Sequence, residues 1–185
     1  MDIVNAISLC SICKNHLPFP PRPIFQFSPQ AKVLIIGQAP GIKAHNSHKA
    51  WNDASGKRLR EWLKLDKTRF YNPSLLSILP IGFCYPGRAA SGDLPPRAEC
   101  APKWHGELLK TLNPKLIVLV GKHAQDYYLS DKKKLTERLQ NWEDYQPKYI
   151  VLPHPSPRNN IWLKRHDWFE KRILPKMQQV LGCYL

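Results

Sequence analysis

Four cysteines stand at a spacing suited to one metal centre. Cys10 and Cys13 are separated by two residues. Two more thiols follow far along the chain, at Cys84 and Cys100. A C-x-x-C pair chelates a single centre, and two further thiolates complete a four-sulfur shell. Such a shell holds either an iron–sulfur cluster or Zn²⁺, and the spacing leaves both open. Cys183 lies outside the pattern and is expected to be a free thiol.

Two loops and one aromatic residue carry side chains that suit nucleotide chemistry. The loop at 37–41, GQAPG, has two glycines, so its backbone can approach a nucleotide closely. The loop at 154–159, HPSPRN, begins with a histidine flanked by prolines, a setting that favours a site residue over a structural one. Trp51 lies in a polar rather than periodic stretch, which favours base stacking over a place in the core.

Short apolar runs are predicted to form the strands that position these loops. They lie at 32–37, 75–79, 116–121 and 149–152. All but the weaker run at 75–79 are continuously apolar, as a parallel strand covered on both faces requires. Function in such a sheet collects at the loops that leave the carboxyl ends of the strands. The GQAPG and HPSPRN loops each follow one of these runs.

Helical periodicity separates the apolar runs. Helices are predicted over 55–65, with Ser55 as the cap, over 97–112, and over 161–174, where Pro175 is expected to end the helix. Strands that alternate with helices predict an α/β fold with three layers and a central four-stranded parallel sheet. Residues 1–185 are expected to form one domain, wrapped by the C-x-x-C segment and a proline-rich loop within residues 1–30.

The charge of the chain points to a polyanionic partner. Its 185 residues include 28 Lys and Arg against 14 Asp and Glu, a net charge of +14. This excess favours binding to nucleic acid through counterion release, while an anionic membrane or an acidic protein are the alternatives. We see no secretory signal, and the longest apolar runs are strand-sized. We therefore expect a protein that is soluble, cytoplasmic, monomeric and not inserted in a membrane.

The cysteine spacing and the loops together resemble the iron–sulfur (family 4, thermophile-type) branch of the uracil-DNA glycosylase superfamily. The CYPGR stretch at 84–88 is similar to the family's CRPPGNR, and RAEC at 97–100 is similar to its E-x-x-x-C segment. The resemblance runs from Cys10 to about Asn160. It implies that Cys10, Cys13, Cys84 and Cys100 hold a [4Fe–4S] cluster, with zinc as the alternative.

The same resemblance assigns roles in a base pocket. Gly37, Gln38, Ala39 and Gly41 would line it, because GQAPG is similar to the family's GEAPG. Trp51 stands where the family keeps a Phe that stacks on the extruded base. His154 stands where the superfamily keeps the donor that stabilises the departing base, and its loop resembles that of the single-strand-selective monofunctional glycosylases. Ser156 and Arg158 of that loop would contact DNA.

Some positions depart from the family pattern. Gln38 replaces a Glu, and Ala44 and His45 stand where carboxylates are usual. Pro80 replaces the Asn that reads the edge of uracil. His45, His48 and Asp53 are candidate substitutes for the missing carboxylates, and Asp53 or His45 is expected to orient the attacking water.

These residues suggest three functions. The first is a DNA glycosylase of base-excision repair that hydrolyses the N-glycosidic bond of uracil or another deaminated base. The second is an iron–sulfur protein that binds DNA lesions with altered or lost catalysis, which the missing carboxylates favour. The third, a zinc-bound nucleic-acid adaptor, is disfavoured by the loops that follow the strands. The expected partner is DNA that carries a damaged base for the first two functions, and a nucleic acid for the third.

Overall fold

A computed structural model describes residues 2–185. The strands are β1 (Val33–Ile36), β2 (Leu76–Ile78), β3 (Arg88–Ala89), β4 (Gly92–Asp93), β5 (Leu116–Val120) and β6 (Tyr149–Leu152). The α-helices are α1 (Ile3–Ser8), α2 (Ile42–Ser47), α3 (Ala54–Leu63), α4 (Lys67–Phe70), α5 (Cys100–Leu112), α6 (Lys122–Tyr128), α7 (Leu135–Gln140), α8 (Asn160–Arg165) and α9 (Leu174–Gly182). Short 3₁₀ helices cover Lys14–His16, Trp142–Tyr145 and Pro157–Asn159, and a π-helix covers Phe169–Ile173.

The central sheet has four parallel strands in the order β2-β1-β5-β6. In register, Val33 of β1 lies between Leu76 of β2 and Leu116 of β5. The apolar strands are buried on both faces, as their unbroken Val, Leu and Ile composition requires. Helices flank the sheet, so the predicted α/β fold with a four-stranded parallel sheet is confirmed. In residues 2–185 no helix combines the length and apolar character that crossing a bilayer requires.

Two helix predictions need correction at their first residues. The helix predicted from Ser55 begins at Ala54, and its cap is Asp53, whose carboxylate accepts the Gly56 N–H at 2.8 Å. An ionised carboxylate is a good acceptor for the unpaired N–H groups of a first turn. The helix predicted from residue 97 begins at Cys100.

The prediction that Pro175 ends a helix is wrong. The segment over 161–174 divides into α8 and the π-helix, and Pro175 stands in the first turn of α9. A first-turn residue has no intrahelical acceptor for its N–H, so proline, which lacks that N–H, is accommodated there. The C-terminal helix therefore continues to Gly182 and buries Met177 and Leu181 against the core.

Two features at the end of β2 complete the frame of the site. The proline-rich segment lies along β2, where Gln26 forms an antiparallel bridge with Ile78 and Ile24 N–H donates to the Phe83 carbonyl at 2.8 Å. Further along, β3 and β4 form a small antiparallel hairpin that the sequence did not predict. This hairpin lies between Cys84 and Cys100.

A buried histidine fixes the backbone just after β2. His105 of α5 contacts the Pro80 carbonyl through Nε2 at 3.0 Å and the Tyr128 hydroxyl through Nδ1. Burial lowers the pKa of His105 to about 4, so the imidazole is neutral at pH 7. A neutral ring that donates from Nε2 to the carbonyl must accept from the hydroxyl at Nδ1. His105 thus ties α5 and α6 to the exit of β2.

The variant His105→Phe tests this anchor. At pH 7 the free energy of unfolding should fall by about 1–3 kcal/mol, because the Pro80 carbonyl and the Tyr128 hydroxyl lose their buried partner. The unfolded state binds a proton at His105 more readily than the folded state, so wild-type stability should fall as pH drops from 6.5 toward about 4. Denaturant unfolding across that range should show a shallower fall for the variant. The exposed His16→Phe is the control and should follow the wild type.

Candidate active site

A cavity of about 500 Å³ lies at the carboxyl ends of β1, β2 and β6. The loop at 37–41 forms one wall and the loop at 154–159 forms another. Pro80, at the exit of β2, contributes an apolar surface, and Trp51 and Asp53 close the side toward α3. The parallel sheet therefore brings the two loops singled out from the sequence into one site.

Backbone hydrogen bonds fix the loop after β1. The Gly37 carbonyl accepts the Ile81 N–H and the Gln38 carbonyl accepts the Gly82 N–H, each at 2.9 Å. These contacts extend the pairing of β1 and β2 past the ends of the strands. Gln38 and Ala39 are left at the cavity surface, partly exposed.

Trp51 packs closely on two glycines. A Cβ on Gly37 would lie 2.7 Å from Cζ2 of the indole ring, and a Cβ on Gly56 would lie 1.7 Å from the Trp51 carbonyl oxygen. Trp51 also has a φ of 57°, a left-handed conformation that a bulky residue adopts only when its surroundings enforce it. The indole ring lies 5.6 Å from the His154 ring, at an interplanar angle of 36°. Both rings line the cavity.

His154 is held by the turn that follows β5. Gly121 has a φ of +83°, and a Cβ there would lie 3.2 Å from the His154 Cβ. Asn159 Nδ2 donates to the His154 carbonyl at 2.6 Å, which closes the loop on itself. Burial lowers the pKa of His154 to about 4, against a smaller opposing effect of the Asp53 carboxylate. At neutral pH the ring is therefore uncharged and carries one N–H to donate.

A family model described as the Uracil DNA glycosylase superfamily matches residues 24–178. The chain belongs to this superfamily. The match spans the sheet and every loop that lines the cavity, and it begins after Cys10 and Cys13. Members of the superfamily are generally hydrolases that act on DNA and release a base from it.

Asp53 lines the cavity and also has a structural role. Its Oδ1 accepts the Gly56 N–H at 2.8 Å as the cap of α3. Its charge acts on His154 through space, since it raises the pKa of that ring. Of the two residues predicted to orient water, Asp53 is the one that the structure places at the cavity.

His45, the other predicted residue, is not among the residues that line the cavity. Its ring stacks on Phe19 at 5.1 Å and lies 6.0 Å from Tyr85. Burial lowers its pKa, and nearby Arg22 and His48 lower it further. The Nδ1 atom is buried without a partner in residues 2–185. The preceding residue, Ala44, lines the cavity without a polar group.

Ser156 and Arg158, predicted to contact DNA, make contacts within the protein. The Ser156 hydroxyl accepts the Arg158 N–H at 3.2 Å and caps a 3₁₀ turn. The Arg158 guanidinium donates to the Ser91 carbonyl at 2.9 Å. On the other side, Arg58 of α3 donates to the Ser156 carbonyl at 3.2 Å. The His154 loop is thus braced between α3 and the hairpin.

The hairpin adds a carboxylate that the sequence analysis missed. Asp93 lines the cavity, and its Oδ2 would lie 3.2 Å from a Cβ on Gly41. Partial burial raises its pKa from the ordinary value of an aspartate, while Arg158 and Arg88 oppose that shift. Strands of two residues show no periodicity, so the only sequence signal was the turn-like Gly92-Asp93 pair between two cysteines.

The four predicted ligand cysteines meet at a second, small cavity. Cys10, Cys13, Cys84 and Cys100 all line it, and Cys183 does not. Burial, with a smaller contribution from the neighbouring cysteines, raises the pKa of Cys84 to about 11 and of Cys100 to about 12. No group of three or more Cys, His, Asp or Glu side chains within residues 2–185 is placed to hold a metal ion.

Two glycine variants test the close packing of Trp51. Gly56→Ala places its Cβ within bonding distance of the Trp51 carbonyl, so α3 must shift and the free energy of unfolding should fall by several kcal/mol. Gly106→Ala is the matched control in α5, where a Cβ meets no atom within 4 Å. It should stabilise the protein by about 0.5–1 kcal/mol through helix propensity. Denaturant unfolding of both variants checks this, and equal effects would contradict the packing.

Proposed function

We propose that the protein is a monofunctional DNA glycosylase that hydrolyses the N-glycosidic bond of uracil or another deaminated base. The observation that carries this proposal is the placement of a neutral His154 beside Trp51 in one cavity of the superfamily fold. An extruded base that stacks on Trp51 has its edge within reach of the neighbouring imidazole. None of the many lysines in the sequence can be singled out as a nucleophile, so the proposal does not include lyase chemistry.

The proposed role of His154 follows from its charge state. Cleavage of the bond leaves an oxocarbenium-like sugar and an anionic base. A hydrogen-bond donor held at the base oxygen stabilises that anion, and its effect is large where water is excluded. A neutral imidazole donates without bringing a buried cation into the ground state. Activity should therefore persist well below pH 6.5, since the ring is protonated only near pH 4.

The proposed reading of the base rests on Gln38. Its carboxamide is at the cavity surface and offers both a donor and an acceptor. Pro80, at the position of the usual uracil-reading Asn, offers no side-chain hydrogen bond. The pocket thus suits a base whose edge presents one donor beside one acceptor, as uracil and hypoxanthine both do.

A cleavage panel tests the activity. Single- and double-stranded oligonucleotides carrying uracil, hypoxanthine or xanthine are incubated with excess protein, and abasic strands are revealed by alkali. We expect cleavage of at least one substrate and none of the unmodified strand.

Binding of DNA should weaken steeply with salt, because Lys and Arg side chains displace counterions from phosphates. Absence of both cleavage and binding at low salt would refute the proposal.

Substitutions at His154 and Trp51 should separate chemistry from base retention. His154→Ala should slow single-turnover cleavage by roughly 10²–10³-fold, the usual effect of losing one oxyanion donor, with DNA affinity little changed. Trp51→Ala should weaken retention of the extruded base by roughly 1–3 kcal/mol, whereas Trp51→Phe keeps a stacking face. The cleavage rate at saturating protein measures the effect of His154→Ala. The dependence of the rate on protein concentration measures the effect of Trp51→Ala. Cleavage by His154→Ala at the wild-type rate would remove the assigned role.

The alternative function is a lesion-binding protein without catalysis. It is favoured by Ala44, which lines the cavity where the family usually places a carboxylate, and by His45, which lies outside the cavity. Such a protein would bind DNA with a deaminated base more tightly than unmodified DNA and leave every substrate in the panel intact. The panel therefore decides between the two functions.

We also propose that Cys10, Cys13, Cys84 and Cys100 hold a [4Fe–4S] cluster, which would place the chain in the iron–sulfur branch of the superfamily. The donor set supports this, since four thiols from distant parts of the chain line one cavity, and binding of a cluster would draw them closer together than they lie without it. Bound there, the cluster would supply a covalent link among the N-terminal segment, Cys84 and Cys100. The two last cysteines flank the hairpin, so the link would hold both ends of the segment that carries Asp93.

Metal analysis tests the cluster. Anaerobically purified protein should be brown and contain about four irons per chain. Cys13→Ala should lose most of that iron, because only three cysteine ligands would remain. Its free energy of unfolding should also fall, because the side chain removed is buried. Cys183→Ala, which alters an exposed thiol outside the second cavity, is the matched control and should keep its iron. Stoichiometric zinc without iron would contradict the proposal.

A further inference from the structure

The Asp93 carboxylate has the position and freedom that a catalytic base requires. It lines the same cavity as His154, and its Oδ2 lies beside Gly41 of the loop after β1, 3.2 Å from the place where a Cβ on that glycine would stand. Within residues 2–185 this carboxylate accepts no hydrogen bond, and the side chain is exposed to solvent. Water can therefore reach it before DNA covers the cavity. Asp53 differs, because its Oδ1 is engaged in capping α3.

The hairpin that carries Asp93 is fixed to the loop that carries His154. Arg158 Nη1 donates to the Ser91 carbonyl at 2.9 Å and packs so closely on the hairpin that a Cβ on Gly92 would lie 2.0 Å away. At the base of the hairpin, the Leu94 N–H donates to the Gly87 carbonyl at 2.9 Å. Asp93 and His154 are thus carried by a hairpin and a loop that are fixed to each other.

We propose that Asp93 is the general base that activates the attacking water in base excision. This inference rests on the proposed glycosylase function and assigns the residue that replaces the carboxylates missing at positions 44 and 45. In the step, the water oxygen bonds to C1′ of the deoxyribose and its proton passes to the Asp93 carboxylate. The C1′–N bond breaks, and its electron pair leaves with the base, whose anion accepts a hydrogen bond from His154. The anion then takes a proton from solvent.

The electrostatic surroundings of Asp93 agree with this role. Partial burial raises its pKa, and the Asp53 carboxylate raises it slightly further. A carboxylate with a raised pKa is a stronger base than an ordinary surface aspartate, and base strength counts in general-base catalysis. Arg158 and Arg88 act in the opposite direction and lower the pKa of the group. The phosphates of bound DNA would offset part of that cationic effect.

Three isosteric variants test the assignment under single-turnover conditions on the best substrate of the panel. Asp93→Asn should slow base release by roughly 10²–10⁴-fold, the range for loss of a general base, with DNA affinity and thermal stability close to wild type. Asp53→Asn should slow it less, because an asparagine also caps a helix. Asp66→Asn alters the cap of α4, away from the cavity, and is the control that should retain wild-type rates.

Chemical rescue separates a catalytic role of Asp93 from a structural one, because an added carboxylate can replace a missing base but cannot restore a lost contact. Formate added to Asp93→Ala should restore part of the rate in a concentration-dependent way, and it should not accelerate His154→Ala. If wild type cleaves and Asp93→Asn cleaves equally fast, or if Asp53→Asn is the slower of the two, the inference is overturned while the glycosylase function stands. If wild type cleaves no substrate, the proposed function fails and this inference fails with it.

Discussion

Parallel pairing of β1 with β2 and β5 is the constraint on which the site depends. Because all four strands of the central sheet run in one direction, the loops that follow β1, β2 and β6 emerge at one edge. The pairing continues beyond the strands through the Gly37 and Gln38 carbonyls, which leaves little freedom to the first loop. The cavity is then shaped by side chains packed on this edge, above all Trp51 on Gly37 and Gly56.

Electrostatics divides the proposed chemistry between two sides of the cavity. His154 lies on the better-buried side, where desolvation keeps the imidazole neutral and fit to donate. Asp93 lies on the open side, on a hairpin that water reaches and that Arg158 holds in place. The proposed donor to the departing base and the proposed acceptor for the proton of water therefore lie on different elements. The proposed cluster would restrain the hairpin that carries Asp93, since Cys84 precedes the hairpin and Cys100 follows it.

The sequence predicted those parts of the structure that depend on long, regular patterns. Unbroken apolar runs located the sheet, and the loops after them located the cavity walls. Local alternatives were harder to separate: Ser55 and Asp53 are both good caps, and Pro175 is compatible with either end of a helix. The packing of His45 depends on its contact with Phe19, and the placement of Asp93 depends on the contact of Arg158 with the hairpin. Such tertiary contacts produce no periodic pattern in the sequence.

The central claim is that His154 is a neutral donor facing an extruded base, and NMR of its imidazole nitrogens tests this most directly. Spectra are recorded from pH 8 to pH 4, free and with DNA that carries a 2′-fluoro analogue of the best substrate, which resists cleavage. We expect a neutral ring until the pH approaches 4, with one nitrogen shifting on DNA binding as its N–H meets the base. Titration near the ordinary value of 6.5, or resonances that DNA leaves unmoved, would contradict the account.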